Sequence, residues 1–204
     1  MAASRLRIVG LGDSTTAGTP GFRSPLEAPP NGRGNVESQY AYWMMQTHPD
    51  WLVLNRGING QRTDQIRSRF ARDVLGERPD YVIVLAGVND IYQGRSPARV
   101  QEDLASMYDQ ARAGSIIAVA ATVLPYNVAT SGDSAVIREL NRWIEATAVA
   151  RGIVFCDTHR VAADPRNPAR LAGSSDGLHP DVAGYRRMGE ALAKAIEENL
   201  RLRE

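Results

Sequence analysis

One cysteine, three histidines and a near-balance of charge are the scarcities of this 204-residue chain, and each removes a class of protein. Cys156 alone cannot close an internal disulfide, so the chain is not a small scaffold stapled by bridges. Its cysteine usage suits a reducing cytoplasm, the expected location, although a secreted enzyme without its leader would read the same. The 24 Lys+Arg against 23 Asp+Glu leave a formal charge of +1, without the cationic excess that tracks phosphates, so nucleic acid is not an expected partner. Arg62, Arg67, Arg69 and Arg72 do gather, but such a run on a helix reads as its solvated face. No stretch approaches the ~20 apolar residues of a membrane-spanning helix, and Met1 runs into a strand-like segment without a signal-peptide core, so a soluble protein is expected. His48, His159 and His179 are scattered, with no H-E-x-x-H and no cysteine cluster, so no metal centre is expected. The first turn has neither G-x-G-x-x-G nor G-x-x-x-x-G-K-[ST], which leaves a flavodoxin-like module that only binds a small ligand with little motif support.

What is present is an alternation of strands and helices. The length favours one buried core over two, hence a single domain spanning 1–204. Apolar runs at Leu6–Leu11, Trp51–Leu54, Tyr81–Ala86, Ser115–Ala120 and Ile153–Cys156 are nearly continuous, as strands covered on both faces must be. Between them, Ser96-Pro97 starts a helix whose stripe is Val100, Leu104, Met107 and Ala111, and Gly114 closes it. Ser134 precedes a second stripe, Ile137, Leu140, Ile144 and Ala148, stopped by Gly152. Ile66, Phe70 and Val74 mark another helix, and Val182, Tyr185, Met188, Leu192 and Ile196 the last. The pattern predicts an α/β domain with a parallel sheet of about five strands and right-handed crossovers. Thr19 to Glu37, rich in proline and glycine, reads as a long loop and a candidate wall of a pocket.

In an open α/β sheet, ligands bind beyond the carboxyl ends of the strands, where the strand order reverses. Polar, glycine-bearing turns fall there: Gly12-Asp13-Ser14-Thr15, Asn55 to Gly60, and Gly87-Val88-Asn89-Asp90. With strand order 2-1-3-4-5 and neighbours about 4.8 Å apart, Ser14, Gly60 and Asn89 converge. These are the parts of an acyl-transfer site, since a serine needs a base and its tetrahedral intermediate needs oxyanion donors. The backbone N–H groups of Ser14 and Gly60 and the Asn89 amide are the candidate donors, glycine at 60 leaving room for the substrate oxygen and Gly12 easing the turn.

The base must be one of the three histidines. His48, before Pro49 at the end of an expected helix, suits the negative end of the helix dipole. His159 follows the fifth strand with Asp157 two residues before it. His179 fits better, in a polar loop before the final helix with Asp176 three residues ahead, where a turn at Gly177 can bring carboxylate to imidazole. Asp-x-x-His alone is weak support, because such pairs are often simple loop hydrogen bonds.

Together, Gly12-Asp13-Ser14, Asn55-x-Gly57-x-x-Gly60, Gly87-x-Asn89-Asp90 and Asp176-x-x-His179-Pro180 resemble the four sequence blocks of the GDSL-type, or SGNH, hydrolases. The resemblance implies a three-layer α/β/α flavodoxin-like fold and esterase, lipase, thioesterase or carbohydrate-deacetylase activity, without a metal or organic cofactor. It implies Ser14 as nucleophile, Asp176 and His179 as the rest of a triad, and Ser14, Gly60 and Asn89 as the oxyanion hole. Thr15 departs from the usual leucine or isoleucine, a change expected to bear on packing. Asp13 and Asp90 read as loop-shaping acceptors, while Tyr92, Tyr126 and Asn127 are candidate pocket residues. The expected substrate is a small ester; sugar O-acetyl groups and acyl thioesters are the alternatives.

Overall fold

The computed structural model describes residues 5–203; Met1 to Ser4, which the sequence reading runs straight into the first strand, lie outside the described residues. Five parallel strands form the sheet: β1 (Arg7–Gly12), β2 (Leu52–Gly57), β3 (Tyr81–Leu85), β4 (Ile117–Ala121) and β5 (Val154–Cys156), in the order β2-β1-β3-β4-β5. This is the flavodoxin-like order expected from the sequence. All five residues of β3 are buried, as an interior strand requires, whereas β2 at the edge alternates half-buried and buried positions.

Helices cover both faces. On one side lie α3 (Thr63–Ser68), α4 (Phe70–Asp73), α6 (Pro97–Ala113) and α7 (Ser131–Arg151), whose Ile66, Phe70, Leu104, Met107, Ile137, Leu140 and Ile144 pack on Val9, Leu11, Val82 and Val84. On the other, α2 (Tyr40–Thr47) and α9 (Val182–Arg201) bring Tyr40, Met44, Tyr185, Met188, Leu192 and Ile196 against Ile8, Tyr81 and Ile83. Alternate side chains of each strand thus feed alternate cores. Single-turn helices α1 (Ser14–Ala17), α5 (Val88–Tyr92) and α8 (Thr158–Ala162) follow β1, β3 and β5. Among the described residues, no helix is long and apolar enough to cross a membrane.

Three local expectations change. Helix α7 starts at Ser131 instead of Ser134, because Thr130 and Asp133 form a capping box in which each side chain accepts the other's backbone N–H. The Ile66–Phe70–Val74 stripe is buried but not on one helix: α3 and α4 are split at Arg69, and a 3₁₀ turn at Leu75–Glu77 follows. Thr19 to Glu37 is not an unstructured loop. It holds a small antiparallel pair, Phe22–Arg23 with Arg33–Gly34, and a 3₁₀ turn at Val36–Ser38.

The ends of β1 and β2 pack closely enough that glycine is obligatory. A Cβ on Gly12 would sit 2.2 Å from Thr16 Oγ1 and 2.4 Å from Leu85 O, so glycine here leaves room for the turn that presents Ser14 and for the end of β3. A Cβ on Gly57 would lie 2.1 Å from the backbone nitrogen of Ala17, where no side chain can rotate away. Gly57→Ala is therefore expected to lower stability by at least about 1–3 kcal/mol and to displace the turn that begins at Ser14. Urea denaturation checks this; a parental midpoint would show that the close approach is not a constraint.

Candidate active site

Ser14 opens α1 immediately after β1. Asp13 caps this turn, its carboxylate accepting the Thr15 N–H at 2.9 Å, and Gly18 ends it in the left-handed region at φ +101°. Buried Asn55 on β2 braces the far end, donating to Ala17 O at 3.1 Å. Thus the serine sits on a short turn held at both ends. Its neighbour Thr15 is buried and also borders the cavity.

The turn after β2 brings Gly60 beside it. Gly60 has φ +72°, which favours glycine, and nothing lies within 4 Å of where a Cβ would be. Conformation rather than crowding within the chain demands glycine there. Asn59 is braced by the proline-rich excursion: its Oδ1 accepts the Thr19 hydroxyl at 2.5 Å, and its backbone N–H reaches Glu27 Oε1 at 3.0 Å. No residue of Thr19 to Glu37 lines the cavity, so this segment is a support and not the expected wall.

After β3, α5 presents Asn89, whose Nδ2 donates to Gln61 O at 3.0 Å. An amide nitrogen carries two N–H groups, so one anchors Asn89 to the neighbouring turn while the other is left for a ligand. Asp90, fully buried, accepts from Thr63 N at 2.9 Å and Thr63 Oγ1 at 2.8 Å, the loop-shaping part expected of it.

From the other end of the chain comes the loop before α9. Gly177 turns at φ +75°, and Asp176 Oδ1 accepts the N–H groups of Leu178 and His179, each at 2.9 Å. Asp176 Oδ2 meets His179 Nδ1 at 2.7 Å, and His179 Nε2 lies 2.7 Å from Ser14 Oγ, across 165 residues of sequence. Partial burial would push the Asp176 carboxyl upward, but the bonds from His179 and the two N–H groups outweigh it and hold it at about 2. Asp176 is therefore an anion throughout the neutral range.

The other histidines are engaged elsewhere. His48 ends α2, stacks on Trp51 at 3.9 Å, and has Nε2 3.6 Å from Glu197. His159 places its ring nitrogens 2.9 Å from Val123 O and 3.0 Å from Pro168 O.

A cavity of about 220 Å³ opens over Ser14, Gly60, Asn89 and His179, walled by Val88, Tyr92, Tyr126 and Leu178. Tyr92 is 65% exposed and stands edge-on to buried Tyr126 at 6.2 Å. Asn127 is not in the wall. It donates its N–H to Gly177 O at 2.6 Å and so steadies the Asp176–His179 loop.

Two features lay beyond the sequence reading. Arg69 is not on a solvated face: it is 6% exposed and bonds inward to Gly12 O and Arg56 O. Asp73 four residues on, its partner at 2.8 Å, was the available signal. Asp13 is 1% exposed, and burial raises its carboxyl to about 6 against the lowering effects of the Thr15 N–H and His179.

A hydroxyl, an imidazole and a carboxylate in bonded series at the mouth of a parallel sheet define an α/β serine hydrolase. The model of the GDSL-like Lipase/Acylhydrolase family matches residues 11–187, and the chain belongs to that family. It is therefore a carboxylic ester hydrolase. Esterase TesA of Pseudomonas aeruginosa is 29% identical over 147 residues, covering 69% of this chain and 67% of that protein. An acetylxylan esterase of Geobacillus stearothermophilus is 23% identical over 158 residues, 71% of each chain. The uncharacterized lipoprotein YqeF of Bacillus subtilis is 34% identical over 79 residues, 36% of this chain and 32% of its own length, so the matched part is about a third of that relative. Among solved structures, a GDSL-like lipase from Bacteroides thetaiotaomicron superimposes with TM-score 0.73 at 26% identity, over 98% of this chain and 91% of its own.

Asp13 has a folded-state value above its usual 3.8, so the native state holds this proton more tightly than the unfolded chain. The stability it contributes is complete below about pH 4 and is lost as pH rises through about 6. Asp13→Asn keeps a capping acceptor without the charge. Its stability is expected to exceed the parent's at pH 8 by up to about 3 kcal/mol, and the difference is expected to vanish at pH 4. Denaturation at the two pH values checks this; a pH-independent difference would contradict it.

Proposed function

We propose that Ser14, His179 and Asp176 are the catalytic triad of an esterase for small or short-chain acyl groups, with Ser14 N–H, Gly60 N–H and the Asn89 amide as oxyanion donors. The observation that carries this is the pair of 2.7 Å contacts linking Asp176 to His179 and His179 to Ser14 Oγ. Neutral His179 takes the Ser14 proton as Oγ attacks the ester carbonyl. The carbonyl π pair becomes the oxyanion, facing the three donors. Collapse expels the alcohol, which leaves with the proton from His179, and an acyl-enzyme remains. Water, deprotonated by the same imidazole, releases the acid and restores Ser14. Asp176, ionised and bonded to Nδ1, fixes the tautomer and stabilises the imidazolium.

The size and apolar walls of the cavity favour a short acyl group. A cytoplasmic place of action forms part of the proposal, supported by the single cysteine of the sequence, which suits a reducing compartment. Sugar O-acetyl groups are the second reading, favoured by exposed Tyr92 beside Tyr126 at the mouth, an aromatic surface on which a pyranose can rest.

Ser14→Ala is expected to abolish hydrolysis of p-nitrophenyl acetate, and Asn89→Ala to lower kcat by about 10²–10³. Parental rates in either variant would remove that residue from its role. A series of p-nitrophenyl esters of increasing acyl length, assayed beside acetylated xylan and an acyl-CoA, is expected to peak at the short p-nitrophenyl esters. A peak on acetylated xylan or the acyl-CoA would move the assignment to those substrates.

A further inference from the structure

The proposed oxyanion donors come from three turns, and a single buried guanidinium reaches the structure behind all of them. Arg69 sits at the break between α3 and α4, 6% exposed. Its Nη2 donates to Gly12 O at 2.8 Å, two residues before Ser14. Its Nη1 donates to Arg56 O and to Asp73 Oδ2, each at 2.8 Å. Its Nε donates to Gln61 Oε1 at 2.7 Å. Gln61 is the residue after Gly60, and its backbone carbonyl holds Asn89 Nδ2.

We propose that Arg69, acting through Gln61, is the positioning residue that sets the three oxyanion donors relative to one another. The Gly12 bond steadies the strand end that carries Ser14. The Gln61 side chain fixes the Gly60 turn, and the Gln61 carbonyl carries that placement to Asn89. A planar fork of five N–H groups can serve four acceptors on separate segments, which a lysine ammonium on its flexible stem cannot. The salt bridge to Asp73 balances the buried charge but needs no bond to Gln61, so the Nε contact separates positioning from mere charge pairing. Donors of this kind act on the transition state, which makes kcat the sensitive parameter and KM the insensitive one.

This inference rests on the proposed triad, and the experiment keeps the two apart. The probes are p-nitrophenyl acetate and phenylboronic acid, which forms a tetrahedral adduct on an active serine. Gln61→Met keeps the carbonyl and the chain length but removes the Nε acceptor. It is expected to lower kcat about tenfold, since misplacement of about 1 Å can cost up to 10², and to weaken phenylboronic acid in proportion. KM is expected to stay parental, while the Nε–H left without its acceptor is expected to lower Tm by only a few degrees. Arg69→Lys is expected to lose more, about 10² in kcat, assayed well below its Tm. Parental kcat and boronate affinity in folded Gln61→Met would overturn the proposal, as would losses confined to KM or following Tm alone. A parent that neither hydrolyses the ester nor takes the boronate would sink the triad reading first, and this one with it.

Discussion

The contact between His179 Nε2 and Ser14 Oγ closes the site, and it joins groups 165 residues apart. No local propensity can create such a bond. It exists because α9 packs beneath the sheet on the same face as α2, which brings the preceding loop up to the carboxyl end of β1. Tyr185 shows the coupling directly: fully buried in that interface, it donates its hydroxyl to Thr19 O at 2.7 Å, five residues past Ser14. The core of α9 and the reach of the imidazole are one constraint.

Around that contact, side-chain bonds fasten the three turns to one another. Asn89 holds Gln61, Thr63 holds Asp90, and Arg69 holds Gly12 and Arg56. These are polar bonds in buried ground, where a missing partner costs more than a made bond contributes. Such a network resists partial loosening, which suits the donor role proposed for Ser14, Gly60 and Asn89. Along the outer wall, Tyr92 and Leu178 are exposed and Val88 is half-buried.

Much of this arrangement is legible in the sequence. The strand runs were legible as nearly continuous apolar stretches, and Ser14, Gly60 and Asn89 as members of polar, glycine-bearing turns after strands; Asp176 and His179 stood out by elimination among three histidines, and the fold and the roles of all five were implied by the resemblance to the GDSL-type hydrolases. Helix α6 was bounded by residues that work locally, Pro97 at its start and Gly114 at its end. Helix α7 was misplaced by a turn because Ser134 competes as a cap with Thr130, and only the reciprocal bond to Asp133 decides between them. Arg69 was only partly legible: Asp73 four residues on marks an ion pair, but the acceptors that draw the guanidinium inward include the backbone carbonyls of Gly12 and Arg56, which every residue possesses. The excursion from Thr19 to Glu37 likewise showed its turns in its prolines and glycines, but not that it would grip Asn59 from behind.

A nucleophilic Ser14 made reactive by His179 is the centre of the proposed mechanism. Peptide mapping by mass spectrometry after exposure to a fluorophosphonate reads that state directly. The parent is expected to carry one phosphonyl group, on the peptide containing Ser14, and His179→Ala, folded, is expected to lose the adduct. An adduct on another residue, or undiminished labelling without the imidazole, would contradict it.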